Sequence, residues 1–383
     1  MKHTDQFESC AAGEPARTVS IVVPPIKIVA CPGLGDRHNN PYTWLTHEPM
    51  LRLGGAVSEF SFYRSPAPDT DILHIHWPER IFWGRVSRLH PWLSEAYAQR
   101  MLAMMDRVRK RGGSVVWTAH NIAPHASLDA ARRALWTRYI DAFLSRVDLI
   151  ISLSQQADDE LVKAYPRLLD TRRTTIAHPH YRTAYPPPLT RTEARARLDL
   201  PQQAYVLLAA GTIRPNKGIP TLAHSFAGVA QPDEVLLIAG SCDDEAERRE
   251  LEAISESHPS VIVRFGRIPD SDIGSVISAA DLSIFNFQTI LNSGSVLLSL
   301  SFDTPVVAPR LGSLNELADL GPQWFTPLTQ PMTNAALRAT IDQARAARIL
   351  RGCTAPIESL DPDVIAARIY AEYAALLDNR RRN

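Results

Sequence analysis

The chain has 383 residues, more than one hydrophobic core usually supports, so we expect two domains. Its 41 basic residues balance its 41 acidic residues, which argues against a nucleic-acid-binding protein. The four cysteines, at 10, 31, 242 and 353, show neither disulfide nor metal-ligand spacing, and no stretch reaches the roughly 18 apolar residues that span a membrane. We therefore expect a cytoplasmic protein without a bound metal.

Short apolar runs alternate with helical stretches along the chain. Residues 1–22 lack the apolar core of a signal peptide and are expected to form a flexible tail. The runs then fall at 26–31, 58–63, 71–77, 114–120 and 147–154, and in a second series at 205–211, 234–240, 260–266, 281–287 and 304–309. Such runs are typical of parallel strands buried on both faces. The sequence predicts two doubly wound α/β domains facing each other across a cleft.

Three consecutive prolines, at 186–188, separate the two series and favour an extended connector. We expect an N-terminal domain over residues 23–185 and a C-terminal domain over 186–355. The last stretch, 356–383, has apolar residues at helical spacing and predicts an amphipathic helix.

The segment GTIRPNKG follows the apolar run that begins at Tyr205. Gly211 permits a tight turn, and Arg214 and Lys217 then follow in a short loop at the strand end. An arginine grips phosphate oxygens through paired donors and a lysine adds a mobile charge, so the pair suits a diphosphate. An ordinary solvated turn is the alternative.

The segment LNSGSVLLSLS predicts a helix start beyond the strand at 281–287. Asn292 and Ser293 are favoured capping residues, and Gly294 lets a ligand approach the backbone N–H groups, up to Ser295, that form an anion site. A plain helix cap is the alternative. We expect this helix start to lie on the same sheet edge as Arg214 and Lys217.

Two strand ends in the N-terminal half carry candidates for proton transfer. Glu79 follows the run DILHIHW, and His120 ends the run SVVWTAH. Either group can act as the general base for a hydroxyl nucleophile, and the sequence does not choose between them. His74 is expected to be a hydrogen-bonded core residue. Further residues expected around the acceptor side of the cleft are His76, Trp77, Asn121, His125, Gly33 and Gly35.

The stretch from Trp77 to Val115 has eight Lys or Arg residues against three Asp or Glu residues. It also contains Phe82, Trp83 and Trp92. Basic and aromatic residues together favour the surface of an anionic bilayer. The alternative is a helix packed on the sheet with its arginines in solvent.

Taken together and in this order, HIHWPE, TAHNIAPH, GTIRPNKG and LNSGSVLLSLS resemble the GT-B glycosyltransferases. More narrowly, they are similar to the GDP-mannose:glycolipid β-1,4-mannosyltransferases of xanthan- and acetan-type polysaccharide assembly. The resemblance implies an inverting transferase with a sugar-nucleotide donor, GDP-mannose in the first instance, and a lipid-linked oligosaccharide acceptor. It implies that Arg214 and Lys217 bind the diphosphate while residues 292–295 close over it.

The resemblance also implies that the last helix packs back on the N-terminal domain and that the enzyme works at the inner face of a bacterial plasma membrane. No cofactor is expected. No metal is expected either, because no paired-aspartate motif ends a strand; Asp243 and Asp244 are interpreted as a helix cap.

One departure from the broader group is that Ile290 and Leu298 stand where many retaining GT-B enzymes carry glutamates. Two alternatives therefore stay open: a GT-B transferase with a UDP-sugar donor, or a non-catalytic glycan-binding module. The base-binding segment is expected around residues 267–272. The sequence does not fix the donor sugar, the acceptor, the linkage or the oligomeric state.

Overall fold

The computed structural model describes residues 25–38, 40–61, 69–82, 91–124, 128–347 and 353–382. In these ranges it has two sheets of six parallel strands each. We call each sheet with its helices a lobe. Two doubly wound α/β lobes are what the sequence predicted.

The N-terminal lobe has the strand order β2-β1-β3-β4-β5-β6. Its strands are β1 (Lys27–Cys31), β2 (Ala56–Glu59), β3 (Ile72–Ile75), β4 (Ser114–Ala119), β5 (Leu149–Ser152) and β6 (Arg172–Thr175). Its helices are α1 (Tyr42–Arg52), α2 (Pro91–Lys110), α3 (Ala130–Leu144) and α4 (Gln155–Ala164). The three central strands β3, β4 and β5 are buried along their whole length, as continuous apolar runs require.

The C-terminal lobe has the strand order β12-β11-β10-β7-β8-β9. Its strands are β7 (Tyr205–Ala210), β8 (Glu234–Gly240), β9 (Val261–Phe265), β10 (Leu282–Ile284), β11 (Val306–Ala308) and β12 (Phe325–Pro327). Its helices are α5 (Arg191–Arg197), α6 (Ile219–Ala227), α7 (Glu245–Ser257), α8 (Ile273–Ser278), α9 (Gly294–Ser301), α10 (Leu314–Leu317) and α11 (Asn334–Ala346). Asp244 caps α7 through its side chain, as the sequence predicted.

The last helix, α12 (Pro362–Arg382), packs on the N-terminal lobe. Its residues Ile365, Ile369 and Tyr373 are fully buried in one cluster with Ile28 of β1 and Met50 of α1. The chain therefore crosses between the lobes twice, once before α5 and once before α12. Arg182 on the first crossing hydrogen-bonds the Ala355 carbonyl on the second, at 2.7 Å, so the two crossings lie side by side.

Two edge strands and the bounds of a third differ from the sequence-based expectation. The strand β6 has the sequence RRTT and is half-buried, so it carries no apolar run. The strand β12 has only three residues. The run expected at 58–63 forms a strand at Ala56–Glu59, whose side chains are largely exposed at the sheet edge. None of the described helices is long and apolar enough to cross a membrane.

Candidate active site

A cleft of about 920 Å³ opens between the carboxyl ends of the two sheets. On the N-terminal side Asn121 and residues 122–124 line it. On the C-terminal side it is lined by Arg214, Lys217 and the segment from Phe287 to Ser295. The loop and the helix start that the sequence analysis singled out therefore share one cavity, because parallel strands deliver their following loops to the same edge.

Gly211 is the point where the loop and the helix start meet. It has φ +110°, a backbone conformation that favours glycine. A Cβ atom placed on Gly211 would lie 3.1 Å from the Lys217 Nζ and 3.4 Å from the Ser295 Oγ. An ammonium group and a hydroxyl thus converge above a bare backbone, which is the donor arrangement that an anion needs.

The two cations of the loop have no acidic partner. Arg214 is exposed and Lys217 is half-buried, and in the described part of the chain neither forms an ion pair with a carboxylate. Burial, and then the charge of Arg214, lower the pKa of Lys217 to about 8. The loop therefore holds an excess of positive charge that an incoming anion would neutralise.

The helix α9 points its first turn at this cavity. The Ser293 hydroxyl caps the helix by accepting a hydrogen bond from the Val296 N–H at 3.3 Å. A Cβ atom on Gly294 would lie 2.5 Å from the Tyr181 Oη, so this glycine makes room for a tyrosine hydroxyl at the helix start. Gly294 therefore has a packing role that the sequence did not reveal, in addition to its expected role of admitting a ligand.

Asn292 has a different contact from the diphosphate contact that was expected. Its Nδ2 donates to the backbone carbonyl of His120 across the cleft, at 3.2 Å. Its Oδ1 is buried and has no hydrogen-bond partner among the described residues. Asn292 therefore connects the donor-side helix to the end of β4, and it keeps one acceptor atom unused.

Glu79 lies in the N-terminal lobe, in a short 3-10 turn (Pro78–Phe82) that follows β3. The side chain is nearly inaccessible, at 4% exposure, and its Oε1 accepts a hydrogen bond from the Asn121 Nδ2 at 2.7 Å. Burial raises the pKa of Glu79 to about 7. A carboxyl group with a pKa near neutrality is suited to accept a proton and release it again.

His120 directly follows β4 and packs against aromatic rings. Its ring stacks on Trp77 at a centroid distance of 4.4 Å, and Tyr42 meets it edge-on at 4.5 Å. Its Nε2 lies 3.3 Å from the Nδ1 of His76. Burial and the nearby His178 hold the pKa of His120 well below its usual value, so its imidazole is neutral at physiological pH.

Several residues expected at the acceptor side of the cleft lie elsewhere. His76 and Trp77 are buried beneath His120, because β3 is a central strand covered by α1. Gly33 and Gly35 donate their N–H groups to the Glu59 carboxylate at 2.9 and 3.2 Å, so an internal carboxylate fills this glycine loop. His125 lies outside the described residues.

Other functional candidates were not found from the sequence. Tyr42 and His47 come from α1, and His178 comes from the first crossing between the lobes. The Tyr42 ring contacts His120 and His178, and the His47 ring contacts His76. Their motifs carry no local signal, and only the fold brings them together. His74, expected in the core, is fully buried and lies 2.8 Å, through its Nε2, from the Thr118 Oγ1.

A second cavity of about 170 Å³ adjoins the cleft at Ser295. Gly211 and Ser295 line it, together with Arg267, Ile268 and Leu298. Arg267 and Ile268 fall in the segment expected to bind the base. Leu298, one of the two apolar residues noted in the sequence, gives this cavity an apolar wall.

The basic and aromatic stretch is only partly described, since Trp83, Arg85 and Arg88 lie outside the described residues. The helix α2 buries Met101 and Met105 in the core of the lobe, while Trp92 at its start is 66% exposed. The helix α2 therefore packs on the core of the lobe, and the aromatic residue at its start is exposed.

Comparisons with known proteins agree with this architecture. Residues 204–344 match the family model described as Glycosyl transferases group 1. Two proteins of Xanthomonas campestris pv. campestris, both named GDP-mannose:glycolipid 4-beta-D-mannosyltransferase, are 28% and 27% identical over 335 residues. The matches cover 86% of this chain and 87% of each relative.

Among solved structures, sucrose-phosphate synthase from Thermosynechococcus elongatus is similar, with a TM-score of 0.58 and 17% identity over 93% of this chain and 98% of that one. HepE from Anabaena, in complex with UDP and glucose, has a TM-score of 0.57 and 13% identity over the same shares. These likenesses show the fold. The chain has the GT-B architecture, its residues 204–344 match the group 1 glycosyl transferase model, and it is similar over most of its length to the two GDP-mannose:glycolipid 4-beta-D-mannosyltransferases.

Proposed function

We propose that this enzyme transfers mannose from GDP-mannose, with inversion, to a hydroxyl of a lipid-linked oligosaccharide in exopolysaccharide biosynthesis. The observation that carries the proposal is the pair of cations without acidic partners, Arg214 and Lys217, which meets the start of α9 in the interlobe cleft. The names of the two relatives support the donor and the acceptor.

The donor is proposed to bind with its diphosphate above Gly211. Lys217 Nζ and the Ser295 hydroxyl would donate to its oxygens, and Arg214 would close over it from the solvent side. The base would enter the adjoining cavity lined by Arg267 and Ile268. These donors are fixed before the reaction, so they stabilise the negative charge that the diphosphate gains as it leaves.

The acceptor hydroxyl is proposed to enter from the N-terminal lobe. Glu79 takes its proton, the oxygen attacks the anomeric carbon, and the bond from that carbon to the diphosphate oxygen breaks on the opposite face. Asn121 holds the carboxylate in place through its 2.7 Å hydrogen bond. Glu79 is the better base than His120, because its pKa of about 7 is near the working pH while burial keeps His120 a weak base. No metal or cofactor is needed for these steps.

Closure of the lobes is proposed to bend the chain at its two crossings, near the domain boundaries 185/186 and 355/356. Asn292 already bridges the lobes through the His120 carbonyl. Bringing the lobes together would exclude water from the donor and limit its hydrolysis.

We also propose that the enzyme is peripheral on the inner face of the plasma membrane, with the start of α2 toward anionic lipid. Exposed Trp92 and the excess of basic residues in this stretch support the proposal. Sedimentation with vesicles containing phosphatidylglycerol should retain the wild type better than the Trp92→Ala variant. Equal retention of both proteins would refute this orientation.

The test of the transfer reaction is an assay of purified enzyme with GDP-mannose and an extract of lipid-linked acceptor. We expect transfer of mannose, a β-linkage in the product by NMR, and thermal stabilisation by GDP rather than by UDP. Stabilisation by UDP alone would move the assignment to the UDP-sugar alternative. Acceptor binding without transfer from any nucleotide sugar would favour the glycan-binding module, which the apolar residues Ile290 and Leu298 first suggested.

A further inference from the structure

Three histidines converge in the core of the N-terminal lobe, beneath His120. His47 comes from α1, His74 from β3, and His76 directly follows β3. All three side chains are completely buried. One ring nitrogen from each lies within 4.8 Å of the corresponding atom of the other two. The proposed transfer reaction uses none of these three groups directly.

Each of the three rings is held in place through one of its nitrogens. The Nδ1 of His47 donates to the Thr43 carbonyl at 2.8 Å, so its Nε2 presents a lone pair. The Nε2 of His74 lies 2.8 Å from the Thr118 Oγ1. The Nδ1 of His76 lies 3.3 Å from the Nε2 of His120. Such outer partners fix the tautomer and the orientation of metal-binding histidines.

Of the remaining nitrogens, the Nδ1 of His74 has two partners, the Tyr373 Oη and the Nε2 of His47, and only the Nε2 of His76 has none among the described residues. The Nε2 of His47 lies 3.3 Å from the Nδ1 of His74. The Nε2 of His76 is buried and has no hydrogen-bond partner among the described residues. A buried polar atom of this kind points to a ligand, since folded proteins leave few of them unsatisfied.

An oxygen atom stands beside the same group. The Tyr373 Oη, from α12, lies 2.6 Å from the Nδ1 of His74. Tetrahedral Zn²⁺ sites hold nitrogen ligands at about 2.0–2.1 Å, which places neighbouring ligand nitrogens about 3.3 Å apart. The His47 and His74 nitrogens already have this spacing, and the His76 nitrogen lies within 4.8 Å of both. The 2.6 Å hydrogen bond between Tyr373 and His74 would open for both atoms to bind one ion.

We propose that His47, His74 and His76 bind a first-row transition metal ion, Zn²⁺ in the first instance, and that Tyr373 supplies the fourth ligand. Imidazole nitrogen is a preferred ligand for Zn²⁺.

The site is structural and separate from the diphosphate end of the cleft. It ties α1, β3 and α12 together, and through His76 it fixes the ring of His120. Sequence spacing does not reveal this site, because the first ligand is 27 residues before the second and the oxygen comes from the far end of the chain.

The first experiment measures metal content and binding in the full-length, untagged enzyme. We expect one zinc ion per chain by mass spectrometry after growth with added zinc. Metal-stripped protein titrated with Co²⁺ should develop the intense visible absorption of a four-coordinate site with nitrogen ligands. Absence of zinc together with no visible band on Co²⁺ addition would overturn the proposal and leave a metal-free hydrogen-bonded core.

Variants then assign the ligands. His47→Gln should lose the Co²⁺ band, and Tyr373→Phe, which keeps the buried ring, should change its shape or intensity. His224→Gln is the matched control, because this histidine is exposed on α6 and pairs with Glu250. Retention of the band in folded His47→Gln, or its loss in His224→Gln, would place the metal elsewhere. If His47→Gln does not fold, the wild-type titration and the Tyr373→Phe spectrum still decide the question.

Discussion

Replacing Lys217 by methionine tests the donor site most sharply, because the structure gives this lysine two opposed effects. Methionine keeps the length of the side chain but removes its charge. In the free enzyme the lysine is half-buried beside Arg214, and its pKa is lowered to about 8. Its charged form is therefore destabilised by burial and by the neighbouring positive charge. With GDP bound, the same charge would meet a diphosphate.

The magnitude follows from the lost contact. A hydrogen bond to a charged group contributes about 1.5–3 kcal/mol, and each 1.4 kcal/mol changes Kd tenfold. We therefore expect Lys217→Met to weaken GDP binding by roughly 10- to 100-fold, measured by isothermal titration calorimetry. The Tm of the ligand-free variant should rise, because a partly desolvated charge has been removed. Arg249→Ala, which removes an exposed cation on α7, should change neither quantity.

The pH dependence gives an independent signature. A bound diphosphate raises the pKa of Lys217, so binding requires the ammonium form. That form predominates below pH 8 in the free enzyme and is lost as the pH rises through about 8. GDP affinity of the wild type should fall above pH 8, and Lys217→Met should not show this fall. A variant that binds GDP within about twofold of the wild type, with the same pH profile, would refute the reasoning.

The remaining tests address the base, the helix start and the closing helix. Glu79→Gln should lower kcat by about 10²–10⁴-fold with GDP affinity unchanged, whereas His120→Asn should retain most of the activity; the opposite order would make His120 the base. In the wild type, kcat/KM should fall as the pH drops through about 7, because Glu79 must be ionised to accept a proton; a rate that is flat from pH 6 to pH 8 would contradict this. Gly294→Ala should weaken GDP binding by displacing α9 from the Tyr181 hydroxyl, and a GDP titration equal to that of the wild type would show that the helix start tolerates a side chain. Ile369→Ala should destabilise the protein by about 2–5 kcal/mol in urea unfolding, and a smaller loss would mean that α12 packs loosely on the N-terminal lobe.

The fold was predictable where burial leaves a continuous apolar run. The observed strand β8 has the predicted bounds, and the observed β7 ends one residue before its predicted end. Both strands were predictable because buried parallel strands are apolar on both faces. The edge strands were not predictable in the same way. β6 reads RRTT because one of its sides faces solvent, and β12 is too short to form a pattern.

The candidate site also contains some residues that local sequence predicts and others that only tertiary packing places. Arg214, Lys217 and Ser295 belong to local segments at strand ends, so topology alone predicted that they share an edge. Residues whose position depends on packing between distant elements were missed or misplaced. Gly33 was expected to line the acceptor side of the cleft, but it binds Glu59 from the end of the neighbouring strand, and this contact leaves no sequence signal.

The most direct test of the central claim is a crystal structure of the enzyme with GDP-mannose. The account expects the diphosphate above Gly211, with its oxygens within hydrogen-bond distance of the Lys217 Nζ and the Ser295 Oγ. A diphosphate bound away from these atoms, anywhere else in the cleft, would contradict it.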